Sequence, residues 1–309
     1  MSRVFVYVEH DNGVIAELSL QAMTLGRGIG EVEAVSVGAT DLGGWQINHP
    51  ALVDYAPEAI AESLAQLIGA EMPAALMAAG TERGNEVMAH VAALLDLPLA
   101  TNITEVRPSG DDWELTRVRW GGSLLEEATL SAFMKLCTVS PHAIEATAPS
   151  TGAAHPFLPD LVDGLLRTRV VERMTVSEGI TLTTAPVVVS GGRGVGSPEG
   201  FAVLEELAGL LGGAVGCSRV VTNNGWRPHS DQVGQTGTRV APNLYIACGI
   251  SGAIQHWVGM MASKNVLAIN SDAEAPMVTK ADYAVIGDLH PILEAIVAEV
   301  KKRKRTLLA

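Results

Sequence analysis

The sequence predicts an α/β protein in which two domains each carry a largely parallel sheet. Hydrophobic residues make up 48% of the chain and charged residues 18%, which is typical of a globular protein. Short apolar runs rich in Ala and Val alternate with runs of helical periodicity, and this alternation is the pattern of βαβ units. The chain has 309 residues, enough for two domains of about 150 residues. We therefore expect two Rossmann-like domains.

The first half of the chain alternates predicted strands with predicted helices. Apolar side chains at helical spacing predict helices over residues 57–70 and around residues 87–95. Apolar, β-branched runs predict the strands, which lie at residues 4–8, 32–37, 74–79, 112–120 and 127–139.

A Pro-, Ala-, Gly- and Ser-rich stretch at residues 146–158 predicts a loop or linker. Residues 170–183 have β-branched character and could cross back to the first domain. A second α/β unit begins at Pro186, so we place the domain boundary near residue 185. The expected domains are therefore residues 1–185 and 186–309.

Composition excludes several classes of function. The formal net charge of −13 argues against nucleic acid as a partner, because phosphate binding needs a basic surface. The one basic run, residues 301–305, follows a periodic segment and suits a helix C-terminus. Three cysteines without a CxxC pair make a disulfide framework or cysteine metal site improbable. With no signal peptide and no apolar run near the ~20 residues of a membrane helix, we expect a cytoplasmic protein without membrane insertion.

The second half carries the candidate chemistry. A Gly-rich loop at residues 191–196 follows a predicted strand, and Ser197 with Pro198 suits the start of a helix that runs to about residue 211. A last helix is predicted at residues 291–301. The remaining predicted strands lie at residues 187–190, 214–217, 244–248, 266–270 and 283–287.

The Gly-rich loop is the first candidate binding element. A strand, a glycine loop and a helix N-terminus let backbone amides approach a pyrophosphate, which makes Gly192, Arg193 and Gly194 candidate ligands. The spacing GGRGVG is neither the GxGxxG fingerprint nor a P-loop. By itself it therefore fits an ordinary tight turn equally well.

Two further loops add candidates. The segment from Gly249 to His256 follows a strand and predicts a second helix start, where Ser251 can cap the helix or donate to a phosphate. Gln255 and His256 would lie in the first turns within reach of a bound ring, although a purely structural role for this histidine is the commoner case. The polar loop QVGQTG at residues 232–237 offers hydrogen-bond donors, or is an ordinary surface turn.

Three residues at predicted strand ends complete the set. Arg219 follows the strand at residues 214–217, where its guanidinium could stack on the flat ring of a ligand and stabilise negative charge, or could be an ordinary surface arginine. Asn270 and Asp288 end two further strands. Open α/β sheets hold ligands at strand C-termini, so both are candidates for the ribose or adenine of a nucleotide.

Taken together, these residues resemble the alpha subunit of electron transfer flavoproteins. The most specific stretches are QVGQTG, LYIACGISGAIQHWVGM, INSDAEAP and ADYAVIGDL, which with SGGRGVG and Ser218-Arg219 cover most of residues 186–290. The first domain resembles the family through VYVEH and GTERGNEVMAHVAALLDLPLATNITEV.

The resemblance implies an FAD-binding electron carrier, rather than a classical enzyme, that pairs with a smaller beta subunit. Residues 1–185 would pack on that partner. The carrier would accept electrons from acyl-CoA-type or other flavin dehydrogenases and pass them to a quinone-linked acceptor.

The resemblance also implies residue roles. Arg219 would lie over the isoalloxazine and His256 would face its pyrimidine edge, so that both favour an anionic, half-reduced ring. Gln235 and Thr236 would bind near the ring and ribityl chain. The pyrophosphate would be held by Ser251, Gly252 and Ala253 with Gln255 close by, and the adenosine end by Asn270, Asp288 and Leu289. The remaining expected cofactor contacts are Gly192, Arg193, Gly194, Gln232, Val233, Gly234 and Gly249.

The sequence departs from the family pattern at three places. Thr222 and Asn223 stand where the family usually has Val-Asp, and Thr238 stands in place of Lys after QTG. Gly84-Asn85 replaces an Arg-Asp pair. The lost Asp and Lys could be a mutually removed ion pair, or could mark a subfamily with a shifted flavin potential or another partner.

Three alternatives remain open at this point. The chain could be a subunit of a bifurcating flavoprotein complex, or a scaffold subunit that has lost its flavin. A nicotinamide-dependent oxidoreductase or a deacylase on a similar domain is the third. A nicotinamide site would need an acidic ribose anchor about 20 residues past the glycine loop. Cys217 and Arg219 stand there instead.

Overall fold

The computed structural model of the chain describes residues 2–122, 124–149, 152–168, 170 and 180–307. The chain forms two compact units, Met1–Met174 and Thr175–Ala309. The domain boundary expected near residue 185 stays a prediction. The predicted crossing segment, residues 170–183, lies largely outside the described residues.

The first unit contains one large sheet, which nine of its strands form in the order β11-β5-β4-β1-β6-β10-β7-β8-β9. All neighbouring strands are parallel except that β8 is antiparallel to β7 and β9. The elements in chain order are β1 (Arg3–Tyr7), β2 (His10–Asp11), β3 (Val14–Ile15), α1 (Glu17–Arg27), β4 (Glu31–Val37), β5 (Gly44–Ile47), α2 (Pro57–Glu71), β6 (Ala75–Ala79), α3 (Glu82–Leu95), β7 (Leu99–Ser109), β8 (Asp112–Arg119), β9 (Leu124–Leu130), β10 (Lys135–Val139) and β11 (Ala154–Phe157).

Local chemistry explains where the helices of the first unit begin. Pro57 occupies the first turn of α2, where its missing N–H has no intrahelical partner to lose. The Thr81 hydroxyl caps α3 by accepting a hydrogen bond from the Gly84 N–H at 2.8 Å. Both predicted helices are therefore confirmed. They pack in one apolar cluster with β1 and β6, while α1 packs on the opposite side of the sheet.

The predicted strand at residues 127–139 is wrong as a single element, because β9 and β10 are separate strands joined by a turn. Phe133 in that turn is 88% exposed, which a continuous buried strand could not accommodate. The Lys135 ammonium fixes the turn by donating to the Asp111 carbonyl at 2.5 Å and to the Ala132 carbonyl.

The second unit contains a five-stranded, fully parallel sheet in the order β13-β12-β14-β15-β16. Every strand predicted for this half is present. The elements are β12 (Val187–Gly191), α4 (Ala202–Leu211), β13 (Ala214–Cys217), α5 (Arg219–Asn223), β14 (Leu244–Cys248), α6 (Ile254–Trp257), β15 (Val266–Asn270), α7 (Pro276–Lys280), β16 (Tyr283–Ile286) and α8 (Leu289–Leu307).

The strand order of the second unit indicates where a ligand would bind. The chain leaves β12 for β13 on one side and then continues to β14 on the other, so the topology reverses between β12 and β14. Open α/β sheets bind ligands at the carboxyl edge at such a point. Helices α4 and α8 cover one face of this sheet in a shared apolar cluster.

The ends of α4 and α8 refine the sequence predictions. The Ser197 hydroxyl accepts from the Gly200 N–H at 3.3 Å, as a cap would, but a 3-10 turn at Glu199–Phe201 precedes α4. Helix α8 is longer than predicted, and the basic run lies in its last turns, where Arg303 pairs with Glu299 at 2.8 Å. Within the described ranges, no helix is long and apolar enough to cross a bilayer.

Candidate functional site at the carboxyl edge of the second sheet

The loops that follow β12 and β14 touch each other at the topological switch point. The Gly192 N–H donates to the Cys248 carbonyl at 2.8 Å, and the Gly194 N–H donates to the Gly249 carbonyl at 3.1 Å. A Cβ on Gly192 would lie 2.3 Å from the Gly249 oxygen, and one on Gly194 would lie 2.8 Å from the Gly249 Cα. The glycines at these positions are therefore required because two backbones pass in contact.

The loop after β14 is fixed on its other side by α7. The Met277 N–H donates to the Ser251 carbonyl at 3.1 Å, and a Cβ on Gly252, whose φ is +83°, would lie 2.3 Å from the Met277 nitrogen. The predicted second helix is only the four residues of α6, with Ala253 at its N-cap position. Ser251 therefore does not cap α6, and a helix this short contributes little dipole.

The QVGQTG loop docks on the same edge. The Val233 N–H donates to the Cys217 carbonyl at 2.9 Å, and the Gln235 N–H donates to the Gln255 carbonyl at 2.7 Å. The Gly234 backbone (φ +147°) passes so close that a Cβ there would lie 3.0 Å from the Gln255 oxygen. Three of the sequence-predicted loops thus meet along one edge of the sheet.

Polar side chains along this edge point to solvent. Arg219 opens α5, and its side chain is exposed. Gln235, Ser251 and Gln255 are also exposed, and within the described residues none of these four side chains has a hydrogen bond or ion pair. Their donors are therefore available to a ligand.

His256 lies beneath this surface rather than on it. His256 is only 7% exposed, and its Nε2 lies 2.9 Å from the Tyr245 hydroxyl oxygen. The ring also interacts with the backbone of Val233, but Nδ1 makes no well-aligned hydrogen bond. Burial lowers the pKa of His256 to about 4, so the ring is neutral at pH 7. Burial also raises the pKa of the Tyr245 hydroxyl, which keeps its proton.

Tyr245 is a site residue that sequence reasoning missed. It is fully buried within β14, and a buried tyrosine needs a partner for its hydroxyl. A tyrosine inside an otherwise apolar strand is the signal that could have identified it, but the sequence does not reveal that His256 is the partner.

These features together fit a bound dinucleotide. The crevice lies at the switch point, close backbone contacts hold its loops, and several donors have no partner. Among the described residues, no group of three or more His, Cys, Asp or Glu could hold a metal ion.

Comparison with known proteins agrees with this geometry. Residues 181–261 match the electron transfer flavoprotein FAD-binding domain, and residues 4–157 match the electron transfer flavoprotein domain. The electron transfer flavoprotein subunit alpha of Mycobacterium leprae is 36% identical over 98% of this chain and 100% of its own length. The chain belongs to the electron transfer flavoprotein alpha family. Its cofactor is FAD.

Two further relatives extend the match. The electron transfer flavoprotein subunit alpha of Thermoanaerobacterium thermosaccharolyticum is 32% identical over 97% of this chain and 98% of its own. Protein FixB of Clostridium saccharobutylicum is 32% identical over 97% of this chain and 96% of its own. Similarity to these family members therefore spans both units.

The three residues predicted at the adenosine end all have structural contacts. The Asn270 amide donates to the Ile250 carbonyl at 3.0 Å and accepts from the Asp272 N–H at 3.1 Å, so it ties two loops together. The Asp288 carboxylate accepts from the His290 N–H at 3.1 Å at the start of α8. Leu289 is 6% exposed and packs in the core. Their contact with adenosine stays a prediction.

Two of the three departures from the family pattern have local explanations. Asn85 accepts a hydrogen bond from the Thr138 hydroxyl at 2.7 Å, which joins α3 to β10. The Thr222 hydroxyl lies 2.7 Å from the Gln232 side-chain oxygen. The Thr238 N–H donates to the Gln232 carbonyl at 2.7 Å and closes the QVGQTG loop. Because this contact is made by the backbone, it does not explain why threonine stands at this position. Nothing in the structure explains Asn223.

Proposed function

We propose that this chain is the FAD-carrying half of a heterodimeric electron carrier, which accepts electrons from flavin dehydrogenases of the acyl-CoA type or others. A quinone-linked acceptor would receive them. The observation that supports this proposal most strongly is the row of unpartnered donors at the switch point of the second sheet. Among these donors, Gln235 and Ser251 stand on loops that close glycine contacts hold in place.

Different residues would bind different parts of FAD. The backbone of Ser251, Gly252 and Ala253 suits the pyrophosphate, because Ser251 and Ala253 are exposed and amides at a strand end can approach anionic oxygens. Gln235 lies on the QVGQTG loop and Gln255 in α6, and the Gln235 N–H donates to the Gln255 carbonyl at 2.7 Å, so the two side chains are held close together. When bound, FAD supplies the one-electron chemistry; the protein supplies binding, orientation and charge.

Arg219 is the group that we assign to charge stabilisation. A guanidinium stays protonated in proteins, and no acidic partner neutralises Arg219 within the described residues. His256 is neutral at pH 7, so it offers at most a dipole. The positive charge that favours a negatively charged reduced ring therefore comes from Arg219 rather than from both residues.

A beta subunit is the expected partner, since members of this family form heterodimers with one. We propose that residues 1–185 pack on that subunit and that the complex works in the cytoplasm. The net charge of −13 supports a partner other than nucleic acid.

A charge series at Arg219 tests this function. The chain is co-expressed with a beta-type subunit, and the FAD content and the absorption spectrum are recorded through stepwise dithionite reduction. Arg219→Ala should lower the equilibrium constant for forming one-electron-reduced flavin by about tenfold to a hundredfold, because a hydrogen bond to a charged group contributes about 1.5–3 kcal/mol. Arg219→Lys keeps the charge but loses the planar fork, so it should retain an intermediate yield.

Arg303→Ala is the matched control, because this exposed arginine lies at the far end of α8 and pairs only with Glu299 in the described chain. Equal yields in wild type, Arg219→Ala and Arg303→Ala would contradict the role given to Arg219. A colourless complex that does not take up added FAD would contradict the carrier function itself and favour a scaffold.

A further inference from the structure

Arg227 joins helix α4 to the segment that enters the QVGQTG loop. Its Nη1 pairs with the Glu205 carboxylate on α4, and its Nε and Nη2 both donate to the Asp231 Oδ2 at 2.9 Å. Asp231 immediately precedes Gln232, the first residue of the loop. The guanidinium therefore ties the entrance of this loop to a helix that packs in the core of the second unit.

The same guanidinium lies next to the Gly-rich loop through an aromatic ring. The Arg227 Cζ lies 5.5 Å from the centre of the Phe201 ring, which is a cation–π contact. Phe201 is only 1% exposed, and a Cβ on Gly191 would lie 2.5 Å from its Cε1. Arg227 therefore contacts one residue that packs against the start of the Gly-rich loop and another that leads into the QVGQTG loop.

The contact with Asp231 is the better protected of the two ion pairs. The side chains of Arg227 and Asp231 are each 21% exposed, whereas that of Glu205 is 53% exposed. Solvent screens an exposed ion pair, and a carboxylate that receives two charge-assisted hydrogen bonds is held more firmly. Among the described residues, no other ion pair ties residues 226–238 to another element. Arg227 is thus the main charged anchor of the segment that carries the loop.

We propose that Arg227 is a positioning residue, which fixes the QVGQTG loop relative to the Gly-rich loop so that both can contact one FAD molecule. This inference rests on the proposed function, because it requires FAD at both loops. Loops that already stand in the bound arrangement lose less conformational freedom when a ligand binds, so anchoring them raises affinity. Donors that are held in place beside the ring also favour the electron-rich reduced flavin over the oxidised form.

The first arm of the test removes the guanidinium and keeps an unbranched apolar stem. Arg227→Met in the full heterodimer should weaken FAD binding by about threefold to fivefold, the upper range for a partly exposed ion pair. The flavin midpoint potential should become more negative, and amide exchange at residues 232–238 of the flavin-free heterodimer should become faster. Affinity is measured by quenching of FAD fluorescence, and the potential by equilibration with redox dyes.

Lys301→Met is the matched control, because Lys301 forms an ion pair with Glu206 on the same helix α4. Within the described residues, no hydrogen bond or ion pair joins Lys301 to either loop. This variant should leave FAD affinity, midpoint potential and exchange at residues 232–238 at their wild-type values. Changes in Lys301→Met as large as those in Arg227→Met would show that the loss of any ion pair on α4 has this effect, which would overturn the positioning role.

The second arm asks whether Arg227 acts through Asp231. Asp231→Asn removes the charged acceptor at the loop entrance and should lower FAD affinity and the midpoint potential as Arg227→Met does. The two substitutions together should do no more than either alone, because they break the same contact. Effects that add in full would show that Arg227 does not act through the loop. Urea unfolding checks that the second unit of each variant is folded.

The outcomes separate this inference from the function beneath it. If the wild-type complex binds no FAD, the carrier function and the inference both fail. If wild type binds FAD and Arg227→Met matches it in affinity, potential and loop exchange, only the positioning role is overturned. A purely structural role for Arg227 would lower the urea midpoint of the second unit but leave the flavin potential unaltered, and this result would also overturn the inference.

Discussion

The buried imidazole of His256 makes the second unit sensitive to acid. The folded-state pKa of about 4 lies below the ordinary value of 6.5, because burial disfavours the charged ring. Between these values the unfolded chain binds a proton that the folded chain does not. Stability therefore rises with pH across this window and is lost as the pH falls through it. The stabilisation is fully present only above pH 6.5.

The size of the effect follows from the same two values. One pKa unit corresponds to about 1.4 kcal/mol, so lowering the pH from 7 to 5 should remove about 2 kcal/mol of unfolding free energy and lowering it to 4 about 3 kcal/mol. Unfolding in urea is followed by pulsed hydrogen exchange and mass spectrometry. The unfolding free energy is then taken from peptides of the second unit alone.

His256→Gln removes the titrating ring and should remove this part of the pH dependence, whatever it does to stability at pH 7. His290→Gln is the matched control, because His290 is exposed on α8 and its loss leaves the buried ring intact. The carboxylates of the second unit contribute equally to the pH dependence of unfolding in both proteins. Subtracting the His256→Gln curve from the wild-type curve therefore removes their contribution. A wild-type curve parallel to that of His256→Gln from pH 7 to 5 would refute the assignment.

Three further substitutions have expected outcomes. Tyr245→Phe should lower the unfolding free energy of the second unit by about 1–3 kcal/mol in the same assay, because the His256 Nε2 loses its partner, whereas exposed Tyr283→Phe should change it little. Gly252→Ala should reduce stability and FAD affinity together, since its Cβ would collide with the α7 backbone; melting curves with and without FAD measure both. Thr81→Ala should cost at least about 1 kcal/mol in the first unit, in urea unfolding read from peptides of that unit, because α3 loses its cap and the Glu9 carboxylate loses the hydrogen bond that the Thr81 hydroxyl donates.

Each of these three has a result that would contradict it. Equal losses in the two tyrosine variants would remove the special role of the buried hydroxyl. An unchanged melting temperature for Gly252→Ala would show that the loop shifts to accommodate the added Cβ. A Thr81→Ala protein as stable as wild type would show that neither the cap nor the hydrogen bond to Glu9 stabilises the first unit.

Much of the fold could be predicted because apolar periodicity directly reflects burial. The central strands β12, β14 and β15 are short apolar runs bounded by glycine or asparagine, and each was predicted within one residue. Strand β7 was missed because most of its residues are only half-buried or exposed, so no continuous apolar run marks it. Helix α1 was missed because buried Ser19 and Gln21 interrupt its apolar face.

The site could be predicted only in part. Glycines mark where backbones must approach, so the loops after β12 and β14 were identified from the sequence. The pairing of His256 with Tyr245 joins residues from two elements, and its effect on the pKa depends on burial that only the folded structure shows. Helix α6 was overestimated, because helical residue types do not show where packing ends a helix.

Hydrogen exchange with and without FAD tests most directly whether the second unit holds the flavin. The heterodimer is stripped of flavin with chaotropic salt, FAD is added back, and amide exchange is compared peptide by peptide. FAD should slow exchange at residues 191–197, 232–238 and 249–257, the three loops that meet at the carboxyl edge of the second sheet. Unchanged exchange in these loops, with slowing confined to Met1–Met174 or to the beta subunit, would contradict this placement.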